Sequence, residues 1–594
     1  MRVEEGFQPI PYPEDNPYTS DPVLPALLRR TLPPNAFNEI EPDLVRLGAD
    51  VITTIRAMGS GNRVAPPSLI QYDQWGRRVD ELETSEGWRD LKAVSQKEGL
   101  PGIFYERKYQ EHSRTYGFAK MMLMVGDSHE VFCPLSMTDG TARVIELIGN
   151  KEMKEKILPR LISRDPSFAF TSGQWMTERP GGSDVSQTET TATSTGKTNP
   201  FGPQYTLNGF KWFSSATDSH ISVALARTGP PTAGSRGLSL FLVPLRLPLL
   251  RSPTDPVPPS TSNNIFVHRM KNKIGTQILP TAELSLESSE AYLIGTLNQG
   301  IKNISPVLNI TRLWSATASI GGLRKCLAIA TAFARVRKIN GQTVLLQDSP
   351  LHVSQLASIN LTYRALVHLT FGVVGLLGKV ECGVASEGEE RRLRVLTPIA
   401  KAFAAEKACH GMEEAMTALG GAGYMEENGF GRQIRDSLVE KIWEGTTTVL
   451  ALDLARAAQD PKTLNAFVSW AKDVVSSCPQ ALQIQMQQPL EVLNEAIVEL
   501  SGSFGRPIGT LIPRPALMVT GYIASSAFLL EHAIWAYTVG DAARDTDIEV
   551  FSRWVLEGGT AAAIDDLRRA KEGTEGRVKA NLAMVFGEAA RAKL

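Results

Sequence analysis

The sequence has little of what usually marks a metal or nucleotide site. Its 594 residues include only five cysteines, which lie far apart and form no CxxC pair. That spacing argues against a disulfide framework or a zinc knuckle and is typical of a reducing compartment. The eight histidines form no HExxH, so no metal site is predicted. No GxGxxG follows a strand-like run, and the glycines of 372–380 lack P-loop spacing, so a nucleotide-like ligand would bind by another route.

The chain is also nearly neutral and has no long apolar run. The formal net charge is −1, so the chain as a whole has no attraction to nucleic acid or to anionic membranes. The longest strongly apolar run without charge, 515–530, has 16 residues, which favours a buried helix over a membrane span. The N-terminus carries early acids and no apolar run, which argues against a secretory signal. We therefore expect no membrane insertion.

The length predicts three or four domains. Residues 1–165 comprise a proline-rich arm followed by stretches with helical spacing. Residues 166–296 contain several short β-runs separated by turns, which is typical of a small barrel or sandwich. Helical spacing returns over 297–458, and a further helical domain is predicted over 459–594. The predicted fold class is mainly α with a central β-barrel domain and an additional C-terminal helical domain.

Three glycine- or aromatic-containing motifs are candidate ligand sites. In WMTERPGGSDVSQTET (175–190), paired glycines let backbone N–H groups approach an anion such as a pyrophosphate, but an ordinary β-turn explains them equally well. In NGFKWFSSATD (208–218), Phe213 and the following serines can flank a flat ring, although this segment alone favours a core aromatic. In LGGAGY, Gly420 and Gly421 permit close backbone approach or simply cap a helix.

A fourth motif, KIWEGTTTV (441–449), places Glu444 between Trp443 and Gly445, ahead of three threonines. The order of these motifs resembles that of the acyl-CoA dehydrogenase family. The segments that carry the resemblance are TERPGGSD (177–184), NGFKWFSS (208–215), TRLWSA (311–316), ARVRKING (334–341), GGAGY (420–424) and WEGT (443–446). A closer resemblance, to the AidB branch of that family, covers nearly the whole chain through PPSLIQYDQWGRRVD (66–80), NKIGTQILPTAEL and IWEGTT. It accounts for the extra C-terminal helical domain.

The resemblance implies an FAD-binding homotetramer that acts on an acyl-thioester substrate. In the family, the carboxylate of the YEGT-type motif removes the proton α to the thioester carbonyl while the β-hydride passes to the flavin, giving a 2-enoyl product. Glu444 matches that base. A carboxylate beside an aromatic ring and a flavin is expected to have a raised pKa, closer to that of the weakly acidic C–H.

The resemblance also implies the residues that contact FAD. Phe213 and Ser215 stand where the family has Trp and Thr, and Thr448 stands where it has Gln. Arg337 matches an arginine that reaches the FAD of a neighbouring subunit. The full set implied is Gln174, Met176, Thr177, Gly182, Ser183, Phe213, Ser215, Arg337, Gly420, Gly421, Trp443, Thr446 and Thr448.

One subgroup of the family carries its base on an earlier helix, just before an arginine. The matching position here is Thr311, followed by Arg312, so Glu444 is the one candidate base. Arg312 either faces the substrate pocket or forms an ion pair on the helix surface, and the sequence leaves both open.

Two functions follow from the resemblance. The first is an FAD-dependent acyl-CoA dehydrogenase, or an oxidase that uses oxygen. The second is an AidB-like flavoprotein with weak dehydrogenase activity that binds DNA or protects it from alkylation. Residues 459–594 contain thirteen Lys and Arg against sixteen Asp and Glu, a net charge of −3, whereas duplex binding needs a basic surface. We therefore favour the enzyme and do not expect DNA as a partner.

The final tripeptide, Ala592-Lys593-Leu594, resembles the Ser-Lys-Leu address of peroxisomal proteins. It predicts a peroxisomal location. The alternative is an accidental match in a cytoplasmic enzyme.

Overall fold

The computed structural model describes residues 10–588, except positions 253, 342 and 506. Along these residues the chain passes from helices to a β-region, then to a long-helix bundle, and finally to a further set of helices. This order matches the fold class predicted from the sequence. The tripeptide Ala592-Lys593-Leu594 lies outside the described residues.

The N-terminal region begins with helices whose first turns are set by proline and by Asp21. The Asp21 carboxylate accepts hydrogen bonds from the backbone N–H groups of Val23 and Leu24, both at 2.8 Å, which satisfies donors that a helix start leaves free. The helices are α1 (Leu24–Thr31), α2 (Pro34–Asp50), α3 (Arg56–Met58), α4 (Glu86–Lys97), α5 (Gly102–Glu106), α6 (Ser113–Met124), α7 (Phe132–Ile148) and α8 (Leu158–Leu161).

A hairpin interrupts these helices where the sequence analysis expected only helical spacing. Strands β1 (Ser68–Tyr72) and β2 (Arg78–Glu83) pair antiparallel. Exposure alternates from residue to residue along β1, which is the period of a strand and not of a helix. The hairpin was missed in the sequence because its alternating segments are short and lie between longer segments with helical spacing.

The β-region forms a seven-stranded sheet with the order β3–β6–β4–β5–β9–β7, and β8 pairs with β9. Since β6 also pairs with β7 and meets β4 at one position, the pairings among β6, β4, β5, β9 and β7 follow a closed path. The strands are β3 (Ser172–Trp175), β4 (Thr191–Asn199), β5 (Gly202–Ser215), β6 (Ile221–Arg227), β7 (Leu238–Pro244), β8 (Ile265–Met270) and β9 (Thr281–Ile294).

Long buried helices then form the bundle. α9 is apolar around most of its circumference and buries residues on every face over much of its length, as expected for a helix surrounded by others. Ser386 and Glu389 form a capping box that begins α11. The elements are α9 (Gly300–Val336), β10 (Lys338–Ile339), β11 (Val344–Leu345), α10 (Pro350–Glu381), α11 (Glu387–Thr417), α12 (Phe430–Glu440) and α13 (Thr447–Ala458).

The C-terminal helices pack directly on this bundle. At Gly521 of α17, an added Cβ would lie 2.4 Å from the ring of Phe403 on α11, so only glycine allows this approach. The His368 ring of α10 lies 4.5 Å from that of His532 on α17. The helices are α14 (Pro461–Ser476), α15 (Gln480–Gln485), α16 (Gln487–Ser501), α17 (Pro513–Val539), α18 (Arg544–Glu557), α19 (Thr560–Glu572) and α20 (Thr574–Phe586).

Among the described residues, two helices, α10 and α17, are long and apolar enough to cross a membrane. Their most apolar windows are 78% and 83% buried inside the protein. Both therefore serve as core helices in this fold, and the predicted buried helix at 515–530 lies within α17.

Candidate active site

A buried ion pair joins the two motifs of the β-region. Lys211 of β5 donates from Nζ to Glu178 Oε1 at 2.6 Å and to the Leu225 carbonyl at 2.8 Å. The backbone N–H groups of Glu189 and Thr190 donate to Glu178 Oε2 at 2.6 and 3.2 Å. The acid of TERPGGSD and the lysine of NGFKWF therefore lock the glycine-containing loop onto β5.

The predicted cofactor residues of this region lie at the end of β3 and in the loop after it. Gln174, Met176 and Thr177 are partly buried, whereas Gly182 and Ser183 are exposed. Gln174 Oε1 is buried and has no hydrogen-bond partner among the described residues. Since a buried acceptor without a partner is costly, this atom points to a ligand that donates a hydrogen bond.

Phe213 is not a core residue, contrary to the alternative that its segment favoured. Its side chain is 51% exposed, and the Lys271 Nζ atom lies 4.5 Å from its ring centroid. Next to it, the Ser214 hydroxyl is buried without a partner among the described residues, and the Ser215 hydroxyl lies 3.1 Å from that of Thr281. An exposed aromatic face thus stands beside two hydroxyl groups.

These features fit the FAD that the resemblance implies. The Gln174 oxygen that has no partner among the described residues can accept a hydrogen bond, and Phe213 offers a face for stacking. The exposed glycine of TERPGGSD leaves backbone groups open to a phosphate. The donor set suits a flat heterocycle carrying a phosphate chain.

The candidate base lies between α12 and α13. Glu444 has a left-handed backbone with φ 57°, followed by Gly445 at φ 107°. A left-handed conformation is uncommon for a residue with a side chain and often marks a functional position, whereas φ 107° at the next position requires glycine. The Thr311 hydroxyl of α9 donates to Glu444 Oε2 at 2.6 Å. One carboxylate oxygen is therefore held, and this chain segment turns sharply at the base.

Arg312 is buried, so it is not the helix-surface residue that one alternative expected. Its Nη1 atom pairs with Asp453 of α13 at 2.9 Å, and its Nε atom donates to the Glu444 carbonyl at 3.3 Å. Both contacts are with the protein itself. These contacts let Arg312 position the base, and the predicted substrate contact of Arg312 stays a prediction.

The carbonyl and hydroxyl groups after the base are also held. Lys401 of α11 donates from Nζ to the Gly445 carbonyl at 2.7 Å. The Thr446 hydroxyl accepts the Val449 N–H at 3.3 Å and caps α13. Thr448 is exposed and accepts a 3.3 Å hydrogen bond from Arg514 of α17, so the C-terminal helices reach the predicted cofactor motif.

The electrostatic surroundings make Glu444 a stronger base than an exposed glutamate. Burial raises the pKa of Glu444, opposed by the hydrogen bond from Thr311 and by the charges of Arg312 and Lys401. Burial also lowers the pKa of Lys401 to about 8. A carboxylate of raised pKa is a stronger base than an exposed one.

Three predicted cofactor residues lie elsewhere. Arg337, Gly420 and Gly421 are exposed, and no side-chain hydrogen bond among the described residues joins them to the segment around Glu444. Trp443 is partly buried and adjoins the base, with its indole directed to Glu440. By their elements, the predicted cofactor residues fall into a group on β3, β5 and the loop after β3, a group at Glu444, and these three exposed residues.

Sequence reasoning missed Glu440, Lys401 and Asp453. Glu440 is 2% exposed and Lys401 is fully buried. The signal was present in Glu440, an acid four residues before Glu444 that follows the apolar pair Leu438-Val439 (SLVEKIW). Lys401 and Asp453 come from α11 and α13, and only the packing of those helices brings them to the site.

Comparison with known proteins relates this geometry to a family. Residues 298–459 match the acyl-CoA dehydrogenase C-terminal domain, and residues 173–289 match the middle domain of acyl-CoA dehydrogenases. Residues 7–166 match the N-terminal domain of the adaptive response protein AidB. All the predicted site residues lie within the first two of these matches.

Whole-chain relatives show the same similarity. Acyl-CoA dehydrogenase family member 11 of Caenorhabditis elegans is 35% identical over 589 residues, which cover 96% of this chain and 91% of that protein. The AidB protein of Escherichia coli (strain K12) is 27% identical, covering 82% of this chain and 88% of its own. The crystal structure of C. elegans ACDH-11 in complex with C11-CoA matches with a TM-score of 0.87 and 34% identity, covering 99% of this chain and 97% of that one. The last similarity includes the C-terminal helices.

Proposed function

Because this chain belongs to the acyl-CoA dehydrogenase family, in its AidB-like branch, we propose that it oxidises the acyl chain of an acyl-CoA between Cα and Cβ. Glu444 takes the proton from Cα, and the product is a 2-enoyl thioester. The observation that carries this proposal is the Glu444 carboxylate, which Thr311 holds at 2.6 Å and whose pKa burial raises.

The residues around Glu444 prepare it for this step. Thr311 fixes one oxygen and so directs the other. Arg312 and Lys401 hold the carbonyls of Glu444 and Gly445, which keeps the left-handed turn in place. Positioned general bases contribute roughly 10²- to 10⁴-fold to rate, and such a contribution depends on this orientation.

We propose FAD as the cofactor, since members of this family are flavoproteins. Bound FAD supplies the acceptor for the hydride that leaves Cβ. Gln174, Thr177, Ser183 and Ser215 would hydrogen-bond it, and Phe213 would stack against it. These residues orient the cofactor, while the proton chemistry stays with Glu444.

The test compares Glu444→Gln with the wild type after reconstitution with FAD. The variant keeps the shape of the side chain and should keep the flavin spectrum, but bleaching by acyl-CoA should slow by roughly 10²-fold or more. Glu390→Gln is the matched control, because Glu390 is exposed on α11. Bleaching by the Glu444 variant at the wild-type rate would remove this residue as the base. A wild-type protein that binds no FAD would overturn the proposed cofactor.

The substrate panel should be centred on medium to long saturated chains. The C. elegans relative was crystallised with C11-CoA, and we propose a chain of that length class here. A panel from butanoyl- to palmitoyl-CoA, scored by the rate of flavin bleaching, decides the preference. Equal rates across the panel would reject the proposed length class.

We do not propose DNA binding. The basic residues Arg568 and Lys571 of α19 are both paired with Glu499 of α16, at 3.2 Å for Arg568 and more closely for Lys571. Arg569 pairs with Asp566. This patch is therefore neutralised, whereas duplex binding depends on free cations that displace counterions. A gel shift with the full chain at physiological salt should show no retarded duplex.

We propose assembly into a homotetramer. Tyr424, next to the exposed Gly420 and Gly421, is 87% exposed, and Met425 is 52% exposed. Exposed apolar side chains of this kind favour a subunit contact, and that contact would bring Arg337 of one subunit to the FAD of another. Light scattering after size exclusion should give four times the 64.8 kDa chain mass, and a monomer would reject the assembly.

We propose a peroxisomal location from Ala592-Lys593-Leu594, with the cytoplasm as the alternative. An N-terminal fluorescent fusion should mark peroxisomes and become diffuse when this tripeptide is removed. If both versions are diffuse in cells that have peroxisomes, the cytoplasmic location holds.

A further inference from the structure

A second buried carboxyl, Glu440, lies one helical turn before the base. It ends α12 and is 2% exposed. Its Oε2 atom accepts the Trp443 indole N–H at 2.6 Å and a short hydrogen bond from the Ser315 hydroxyl of α9. Its Oε1 atom is buried and has no hydrogen-bond partner among the described residues. Two donors therefore occupy one oxygen, and the other is left to carry a proton.

Trp443 is the residue directly before Glu444, so the hydrogen bond that fixes the Trp443 indole also helps to fix the position of the base. The indole is held to Glu440 at one end of the α12–α13 connection, and the Glu444 carbonyl and carboxylate are held by α9 at the other. Ser315 and Thr311 lie one turn apart on α9. The same helix therefore fixes both carboxyls through a hydroxyl group each.

Charged and titratable groups face Glu440 from every element packed against it. α11 brings Lys401, and its attraction to both Glu440 and Glu444 favours their ionised forms. The turn before α7 brings Glu130, whose pKa burial and the charges of Asp436 and Glu440 raise. α7 also brings Cys133, whose pKa is raised by burial and by the neighbouring acids, both Glu440 and Glu444 included.

These groups do not supply Glu440 with a cation at bonding distance. Lys273 of the β8–β9 loop acts on Glu130 and Asp436, and Arg312 is paired with Asp453. Burial raises the pKa of Glu440 to about 7, against the hydrogen bonds from Ser315 and Trp443 and the charge of Lys401. Glu440 thus changes charge near neutral pH.

We propose that Glu440 is a positioning residue for the reaction, which anchors Trp443 beside the base and provides a second carboxyl whose charge strengthens Glu444 as a base. This inference rests on the proposed function, since it assigns Glu444 that role. No bond to substrate is formed by Glu440. Its negative charge raises the proton affinity of a neighbouring carboxylate, and the two groups titrate as a pair.

The inference predicts a pH dependence that a merely structural role would not produce. At acid pH Glu440 is neutral, so Glu440→Gln, which keeps an acceptor for Ser315 and Trp443, should reduce flavin at close to the wild-type rate. As pH rises through about 7, the wild type gains a second carboxylate charge and the variant does not. The variant should then fall behind by roughly three- to ten-fold, because a stronger base transfers the proton faster.

The kinetic test follows flavin bleaching by acyl-CoA from about pH 5 to about pH 9 in wild type, Glu440→Gln and Glu390→Gln. A ratio of wild-type to Glu440→Gln rates that grows with pH supports the inference. A ratio that is constant across the range overturns it, even where both rates are low. Glu390→Gln should track the wild type throughout.

An infrared titration separates this inference from the proposed function, because it needs no substrate. The wild type should show a protonated-carboxyl band that disappears near neutral pH, and Glu440→Gln should lack that band. Ser315→Ala removes a donor to the ionised form, so it should move the band's midpoint to higher pH, and it serves where Glu440→Gln fails to fold. No titrating band in the wild type overturns the inference. If the band is present and no acyl-CoA bleaches the wild type, it is the proposed function that fails.

Discussion

Two buried carboxylates, Glu178 in the β-region and Glu440 in the bundle, are surrounded in opposite ways. In the β-region, Glu178 has Lys211 at 2.6 Å on one oxygen and backbone N–H groups on the other. Its pKa is lowered, because the Lys211 charge and these hydrogen bonds outweigh burial. In the bundle, Glu440 has neutral donors on one oxygen and no partner within the described part of the chain on the other, and its pKa is raised to about 7 by burial.

The comparison separates a structural acid from a functional one. Burial acts in the same direction at both sites, against the charged form. The two sites differ in whether a bonded cation and hydrogen-bond donors on both oxygens offset the effect of burial. Glu178 is saturated and stays ionised, so it locks two motifs together. Glu440 lacks a partner on one oxygen among the described residues, and burial raises the pKa of both Glu440 and Glu444.

The largest expected effect comes from breaking the saturated pair. Lys211→Met leaves Glu178 buried without its cation, which should lower the free energy of unfolding by about 3–5 kcal/mol. Chemical denaturation followed by circular dichroism measures it. Lys197→Met is the matched control, because Lys197 is exposed on the neighbouring strand β4.

The double variant Glu178→Leu/Lys211→Met should recover much of that loss, since it removes both charges. If Lys211→Met unfolds like the wild type, Glu178 does not depend on its cation and the contrast between the two sites disappears.

A smaller effect should follow from removing the donor to the base. Thr311→Val deletes the 2.6 Å hydrogen bond to Glu444, and hydrogen bonds to charged groups are worth about 1.5–3 kcal/mol. The pKa of Glu444 should rise, so at pH values below it fewer molecules carry the ionised base, and flavin reduction should slow there by about tenfold or more. Since more of the base ionises at higher pH, the deficit should shrink there.

Stopped-flow bleaching across pH measures this change. Thr311→Ser retains the hydroxyl and should behave like the wild type. An equal deficit for Thr311→Val at every pH would mean that the hydroxyl acts by packing and not by stabilising the carboxylate.

The smallest effect concerns how stability depends on pH. The folded-state pKa of Glu440 lies above its unfolded value, so its contribution is present below the unfolded pKa and is lost as pH rises through about 7. Glu440→Gln should therefore become more stable relative to the wild type as pH rises. Glu178 has a lowered folded-state pKa, and its contribution is lost as pH falls through that value.

Denaturation midpoints of Glu440→Gln and Glu178→Gln, measured over the same pH series, test these opposite signs. Slopes of the same sign for the two variants would contradict the distinction between a saturated and an unsaturated carboxylate.

The order of the sequence motifs predicted the family and the fold class. The predicted family and the mainly helical fold class with a central β-region and added C-terminal helices are confirmed. The hairpin β1–β2 was missed, because its short alternation lies between long helical patterns. Phe213 was favoured as a core aromatic from its segment and is half exposed, since the exposure of a strand residue depends on which face of the sheet is covered.

What the sequence by itself determined is the local chemistry: a lone carboxylate before a glycine, an acid and a lysine in two cofactor motifs, and an apolar run at 515–530 that lies within a core helix. These properties depend on residues that are adjacent in the sequence, so they can be recognised without the structure. Only the tertiary structure decided that Arg312 pairs with Asp453, that Lys401 reaches the Gly445 carbonyl, and that one Glu440 oxygen has no partner among the residues the structure describes. Charge states inside a protein depend on burial and on partners from distant segments, and neither exists until the helices have packed.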